Sequence, residues 1–275
     1  MDSLPVSSGY IHTFSAEEQA RLVVQAAFLE PYIFPTIDFT GCERVLEIGC
    51  GVGAELQILH RRFPHARLTG VDFAPSQLAK ARELLQDEVA AGAVQLHVGS
   101  AYELPFAEAS FDGVCLIWVL EHLTDPLRAL REARRVLRPG GVLSVTEVFN
   151  ASLRVEPPCP AMAEYWRAFN ALQRELGGAP DIGAELATLA AVAGFGEIQF
   201  RTLPVRMDAR MTELAARRKF IGYWRTLWLS GAAQLLERDR VTPALVAAMK
   251  CEFTALGENL NSVYDYSASQ VQARK

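Results

Sequence analysis

The sequence predicts an α/β fold, a mostly parallel sheet with helices on both faces. Three observations lead there. Strand-like and helix-like segments alternate from residue 44 to about 147. The strand-like segments are continuous apolar runs, as expected where both faces are buried. A turn carrying Gly49, Gly51 and Gly53 joins the first strand to the first helix.

The elements follow in order. "RVLEI" (44–48) is a short apolar strand, and "GAELQILHRRF" (53–63) is a helix ended by Pro64. "ARLTGVD" (66–72) is a second strand. "PSQLAKARELLQDEV" (75–89) has helical periodicity, with Ser76 a capping candidate near Pro75. "VQLHVG" (94–99) is a third strand, and "FDGVCLIWVL" (111–120) a fourth, too apolar to have a wet face. "DPLRALREARRVL" (125–137) is a helix that stops at "RPGG", a tight turn, and "VLSVTEV" (142–148) is the fifth strand.

The flanks differ in character. Residues 15–34 read as an amphipathic helix ahead of the sheet. A break at "RVEPPCP" precedes the aromatic segment "YWRAFNALQREL". Residues 185–203 read as helix, glycine turn and strand, 208–257 as mostly helical, and 261–274 as a last strand. Composition shifts little along the chain, so the reading is one domain. Residues 37–150 form its ligand-binding core, and 183–204 and 258–275 complete the sheet. Residues 1–36, 151–182 and 205–257 form a cap.

The chain has 275 residues, half of them hydrophobic, which is ample for a core. A net charge of -5 argues against a nucleic-acid partner, which calls for a basic footprint. The N-terminus has no secretory pattern. The longest apolar run, "VCLIWVL" (114–120), is far short of the roughly 20 residues of a membrane span. The five cysteines form no CxxC pair and no zinc-ligand spacing, so the expectation is no metal and a reduced, cytoplasmic location.

In open α/β sheets the ligand sits beyond the carboxyl ends of the strands, where strand order reverses. Glycines there permit a tight turn and close backbone approach. Gly49, Gly51 and Ala54 satisfy the dinucleotide pattern G-x-G-x-x-G/A. A better fit is G-x-G-x-G with an acid two residues earlier: Glu47, Gly49, Gly51, Gly53. Asp72 closes the second strand, where a carboxylate accepts ribose hydroxyls of NAD or any other adenosine ligand.

Four blocks, in order and at family spacing, resemble the class I S-adenosylmethionine-dependent methyltransferases of the small-molecule, natural-product type. They are "VLEIGCGVG", "VDFAPSQLAKARE", "GSAYELPFAEASFDGVCLIWVLEHLTDP" and "REARRVLRPGGVLSV". A nicotinamide oxidoreductase gives no reason for the "LPF…SFD" and "LRPGG" segments. The resemblance implies a Rossmann-like, doubly wound, seven-stranded sheet with its last strand antiparallel. It implies in-line methyl transfer from S-adenosylmethionine to a small-molecule acceptor, leaving S-adenosylhomocysteine. The cofactor positions carried over are Glu47, Gly49, Gly51, Gly53, Asp72, Phe73, Gln77, Ser100, Ala101, Trp118 and Leu120. The family usually has Asp where this chain has Ser100, whose hydroxyl can also accept.

Three residues are catalytic candidates. His122 is the only histidine near the expected site and a natural base near pH 7, or a helix-start residue. Glu147 ends the fifth strand, facing substrate or a solvated loop. Tyr10 closes the site or belongs to a frayed terminus. Tyr10, Phe14 and Trp118 are candidates for an aromatic wall around the sulfonium. Trp118 is equally readable as core. Arg21, on the leader helix with Gln25, meets the cofactor carboxylate or is a solvated charge. Arg217, Arg218 and Lys219 with Tyr223, Trp224 and Trp228 permit an anionic acceptor, a membrane-lying helix, or a cap helix with a wet basic face.

The main expectation is a small-molecule methyltransferase with no stable membrane insertion, whose leader helix also offers a self-association surface. The alternatives are a quinone, lipid-like or prenyl diphosphate acceptor, and a non-catalytic regulatory module on the same fold. O-, N- and C-methylation stay open.

Overall fold

The computed structural model describes residues 15–275. Eight strands form one sheet: β1 (Arg44–Ile48), β2 (Arg67–Asp72), β3 (Val94–Val98), β4 (Phe111–Ile117), β5 (Leu137–Val148), β6 (Arg154–Glu156), β7 (Gly196–Met207) and β8 (Val263–Arg274). Among the described residues ten α-helices surround it: α1 (Ala16–Ile33), α2 (Ala54–Arg62), α3 (Pro75–Leu84), α4 (Gln86–Ala90), α5 (Pro126–Val136), α6 (Pro160–Glu175), α7 (Leu186–Val192), α8 (Leu214–Leu229), α9 (Ala232–Glu237) and α10 (Pro243–Glu258).

The strand order is β3-β2-β1-β4-β5-β8-β6, with β7 also on β8. The first five strands are parallel, and β8 runs antiparallel between β5 and β7. The antiparallel last strand expected from the resemblance is therefore present. An eighth strand is added to the expected seven, because Arg154–Glu156 pairs with the start of β8. The chain winds outward from β1 to β3, then returns to β4 on the other side of β1. That reversal places a crevice between the carboxyl ends of β1 and β4.

Local chemistry sets the helix starts. Ser15 caps α1 through the Glu18 N–H (3.2 Å), and Asp125 caps α5 through Arg128 (3.0 Å). Thr242 caps α10 through Leu245 (3.1 Å), and Pro75, Pro126 and Pro243 open their helices, where a missing N–H is harmless. The strands alternate between two cores. Val45 and Cys115 join one, and Leu46, Ile48, Val114 and Leu116 the other. All seven residues of β4 are buried.

Three expected boundaries move. The helix expected over 75–89 breaks at Leu85, which is buried against Gly53. The "RPGG" turn is absorbed as an irregularity at the start of β5. The fourth strand stops at Ile117, not residue 120, because Trp118 takes φ 57° and the chain turns into a short 3₁₀ segment, Leu120–His122. No described helix is long and apolar enough to cross a membrane.

Candidate active site

A cavity of about 620 Å³ lies over the crevice. Its floor is the glycine turn and the ends of β2 and β4. Helix α1 forms one wall, and α6 and α8 form the roof.

The turn is built by backbone conformation. Gly49, Gly51 and Gly53 all have φ between 49° and 77°, the left-handed region that L side chains rarely adopt. A Cβ on Gly49 would lie 2.6 Å from Val119 Cγ2, and one on Gly53 2.7 Å from Leu85 Cδ1. A Cβ on Gly51 would meet nothing within 4 Å, and Gly51 lines the cavity. The first and third glycines thus serve packing, and the middle one leaves room for a ligand.

Asp72 lies beneath this opening. Its carboxylate accepts from the Gly51 N–H (2.9 Å) and the Ala74 N–H (2.8 Å), one on each oxygen. Burial raises its pKa, and the two N–H donors oppose the rise. Each oxygen keeps a further lone pair for a ligand hydroxyl. Phe73, Gln77, Ser100 and Ala101 line the same end. Gln77 accepts from Gln19 Nε2 (2.9 Å), tying α1 to α3, and Ser100 Oγ accepts from the Tyr102 N–H (3.2 Å). Trp118 lines the cavity at the end of β4.

Other expected residues stand apart from the cavity. Glu47 is buried in β1, its pKa pushed well up by burial and by Glu55 and Asp72. Gly53 faces Leu85. Leu120 is fully buried in the core around α5 rather than at the cavity wall, because the turn at Trp118 directs it inward. Tyr10 and Phe14 lie outside the described residues.

Glu147 does not line the cavity. Its carboxyl accepts from the N–H groups of Val119 (2.8 Å), Leu120 (2.6 Å) and Glu121 (3.4 Å). It therefore holds from below the turn that carries Trp118 and His122. Burial and the neighbouring Glu121 push its pKa up to about 8.

His122 is in the cavity wall. Its Nε2 lies 3.6 Å from Glu121 Oε1, and Glu121 Oε2 accepts from Gln173 Nε2 of α6 (2.6 Å). Burial lowers the His122 pKa and Glu121 opposes this, so the ring is mainly neutral at pH 7.

Helix α1 turns a polar face inward. The Arg21 guanidinium holds Glu18 (2.6 and 2.7 Å) and Gln25 (2.6 Å), and all three side chains are buried. Arg21 is thus neither solvated nor a bare cation. Across the cavity, half-buried Glu55 is pushed up to about 7 by desolvation, against its own N–H and Arg21. Sequence reasoning missed Trp166, Phe169 and Gln173 as cavity residues. Their i, i+3, i+7 spacing on α6 was the available signal.

Comparison with known proteins places the chain. A family model described as a methyltransferase domain matches residues 46–145. O-methyltransferase resE of Aspergillus sclerotiorum is 30% identical over 204 residues, which is 71% of this chain and 72% of that protein. The chain belongs to the class I S-adenosylmethionine-dependent methyltransferases. It spans 41–65% of the length of three further curated relatives. Phosphoethanolamine N-methyltransferase 2 of Haemonchus contortus, solved with S-adenosylhomocysteine, is similar at TM-score 0.58 and 18% identity, over 96% of this chain and 57% of that one. The [4+2]-cyclase SpnF is similar at TM-score 0.54 and 22% identity, over 96% and 85% of the two chains. These two likenesses concern the fold alone, and the fold does not fix the reaction.

This methyltransferase has residues that fit its family's cofactor. The open face of Gly51, the Asp72 carboxylate and the slot beside Phe73, Gln77 and Ser100 suit an adenosine lying across the glycine turn.

Proposed function

We propose that this methyltransferase acts on a hydroxyl group of a small molecule, with His122 as the general base. When bound, S-adenosylmethionine supplies an electrophilic methyl group on a sulfonium. The chain's own residues do the rest. Gly51 and Asp72 hold the nucleoside end, and Trp118 carries the wall on toward the acceptor end. Alignment of the reacting atoms lowers the barrier by an amount on the order of 7–11 kcal/mol. As the acceptor oxygen takes the methyl group, His122 takes the hydroxyl proton. Glu121 steadies the imidazolium that forms, and Gln173 steadies Glu121.

One observation carries this reading: a histidine 3.6 Å from a carboxyl partner, Glu121, lines the same cavity as the glycine turn and Asp72. An amine acceptor would need only a desolvated pocket, whereas a hydroxyl acceptor benefits from a base. The name of resE, an O-methyltransferase, agrees with the reading.

Methyl transfer from labelled S-adenosylmethionine to a hydroxyl-compound panel tests it. His122→Gln is expected to lower kcat by about 10²–10⁴-fold with S-adenosylhomocysteine affinity unchanged. Undiminished turnover by the variant would refute His122 as the base. Turnover of amines alone would refute the hydroxyl.

A further inference from the structure

The roof of the cavity has a distinct chemistry. Trp166, Phe169 and Gln173 of α6 and Tyr223, Trp224 and Leu227 of α8 line it, and none carries a charge. Three of the arginines that these helices also carry are engaged elsewhere. Arg174 pairs with Asp181 (2.5 Å) and Arg218 with Glu258 (2.7 Å). Arg217, fully buried, donates to the carbonyl oxygens of Asp208, Met211, Asn259 and Ser262 and to the Ser262 hydroxyl. The basic run at 217–219 thus places no cation in the cavity wall.

The roof is also built of stacked rings. Trp166 lies 5.3 Å from Phe169 at 14° and 4.4 Å from Trp228 at 11°. Tyr223 stacks on Phe28 at 3.8 Å and 17°. Such walls favour flat, polarizable guests.

The polar atoms of this wall complete the picture. Among the described residues, Trp118 Nε1, Trp224 Nε1, the Tyr223 hydroxyl and Gln173 Oε1 are buried with no hydrogen-bond partner. Buried polar groups are nearly always paired, and an unpaired one is costly. An indole N–H can only donate, a phenol hydroxyl does either, and an amide oxygen accepts. The set therefore asks for a guest with several acceptor oxygens and at least one hydroxyl. The accepting Gln173 is the residue whose amide N–H holds Glu121, the partner of His122.

We propose that the acceptor is an uncharged, planar aromatic phenol bearing ketone or quinone oxygens. The indole N–H groups of Trp118 and Trp224 and the Tyr223 hydroxyl bind those oxygens. The reacting hydroxyl faces His122, which takes its one proton. This rests on the methyltransferase reading above and names the substrate class of the same cavity. An anionic acceptor, such as a phosphate or diphosphate, would shed its hydration here without meeting a cation on the roof; the arginines of the other walls are Arg21, held by Glu18 and Gln25, and Arg128, over the Tyr102 ring.

Three probes test the class: 2-naphthol, 7-hydroxyflavone and 1-hydroxyanthraquinone, phenols with none, one and two carbonyls. Each is titrated by quenching of tryptophan fluorescence, with phenyl phosphate as the flat anion. S-adenosylhomocysteine is titrated into the same proteins by calorimetry. The carbonyl probes are expected to bind about 3- to 10-fold more tightly than 2-naphthol. Tyr223→Phe and Trp224→Phe should each remove much of that gain and leave S-adenosylhomocysteine binding unchanged. Phenyl phosphate should bind at least about tenfold more weakly than 2-naphthol. Phenyl phosphate binding as tightly as 2-naphthol, or variants that hold the carbonyl probes as well as wild type, would overturn the proposal. Failure of the wild type to bind S-adenosylhomocysteine would instead strike the methyltransferase reading, while the probe titrations still decide the acceptor class.

Discussion

Gly49 and Gly51 stand two residues apart with the same left-handed backbone, yet replacement by alanine should act on them in different ways. An L residue in that region costs about 1–2 kcal/mol, and this applies to both. At Gly49 the new methyl group would lie 2.6 Å from Val119 Cγ2 and 3.0 Å from Cγ1. Overpacking of that kind adds about 1–3 kcal/mol, so Gly49→Ala should destabilise by about 2–5 kcal/mol in all. At Gly51 the methyl group meets no protein atom within 4 Å. Gly51→Ala should therefore stay near 1–2 kcal/mol in stability while placing carbon where the ligand lies. The same overpacking penalty, taken in binding, is about a 5- to 150-fold loss of affinity. Urea unfolding and calorimetric titration with S-adenosylhomocysteine measure the two effects. A Val119→Ala background removes the clashing Cγ atoms and should restore much of the Gly49→Ala loss, leaving Gly51→Ala untouched. Equal destabilisation by the two glycine variants, or wild-type affinity in Gly51→Ala, would refute the division of labour in the turn.

Other expectations follow from buried charge. Arg217→Ala strips a donor from four carbonyls and one hydroxyl and should cost about 3–5 kcal/mol in urea unfolding, whereas Arg218→Ala, in an exposed pair, should not move the midpoint measurably. The Glu147 pKa is raised from 4.5 to about 8, so the folded state holds a proton that the unfolded chain releases, and stability should fall as pH rises between those values. Glu147→Gln keeps an oxygen for the Val119 and Leu120 N–H groups and should flatten that slope; an unchanged slope would contradict the assignment. Burial holds His122 below 6.5 and Glu121 lifts it, so the acid limb of kcat/KM should lie below pH 6.5 and move lower in Glu121→Gln.

Much of the sheet was legible because parallel strands buried on both faces leave unbroken apolar runs, as "RVLEI" and "FDGVCLI" do. The glycine turn was legible because positive φ and close approach both demand glycine. The Trp118 turn was not, since a bulky residue at φ 57° gives no compositional warning and reads as more strand. Leu120 was assigned to the site for that reason and lies in the core. Glu147 reads as facing substrate or a solvated loop because it ends a strand; its actual partners are three N–H groups on another strand's exit, a long-range fact. The basic run at 217–219 illustrates the same limit. Nothing local distinguishes an arginine stapling backbone carbonyls from one that greets an anion. The inward polar face of α1 is also opaque to periodicity, because Arg21 and Gln25 are buried against a cavity rather than a core, with Glu18 bonded to Arg21.

The central claim is that the turn and Asp72 form one nucleoside-binding unit. Calorimetric titration of the wild type and Asp72→Ala with S-adenosylhomocysteine tests it most directly. The account predicts micromolar binding by the wild type and a loss of at least about tenfold in the variant, since a buried acceptor of ligand hydroxyls is removed. Equal affinity in both proteins would contradict it.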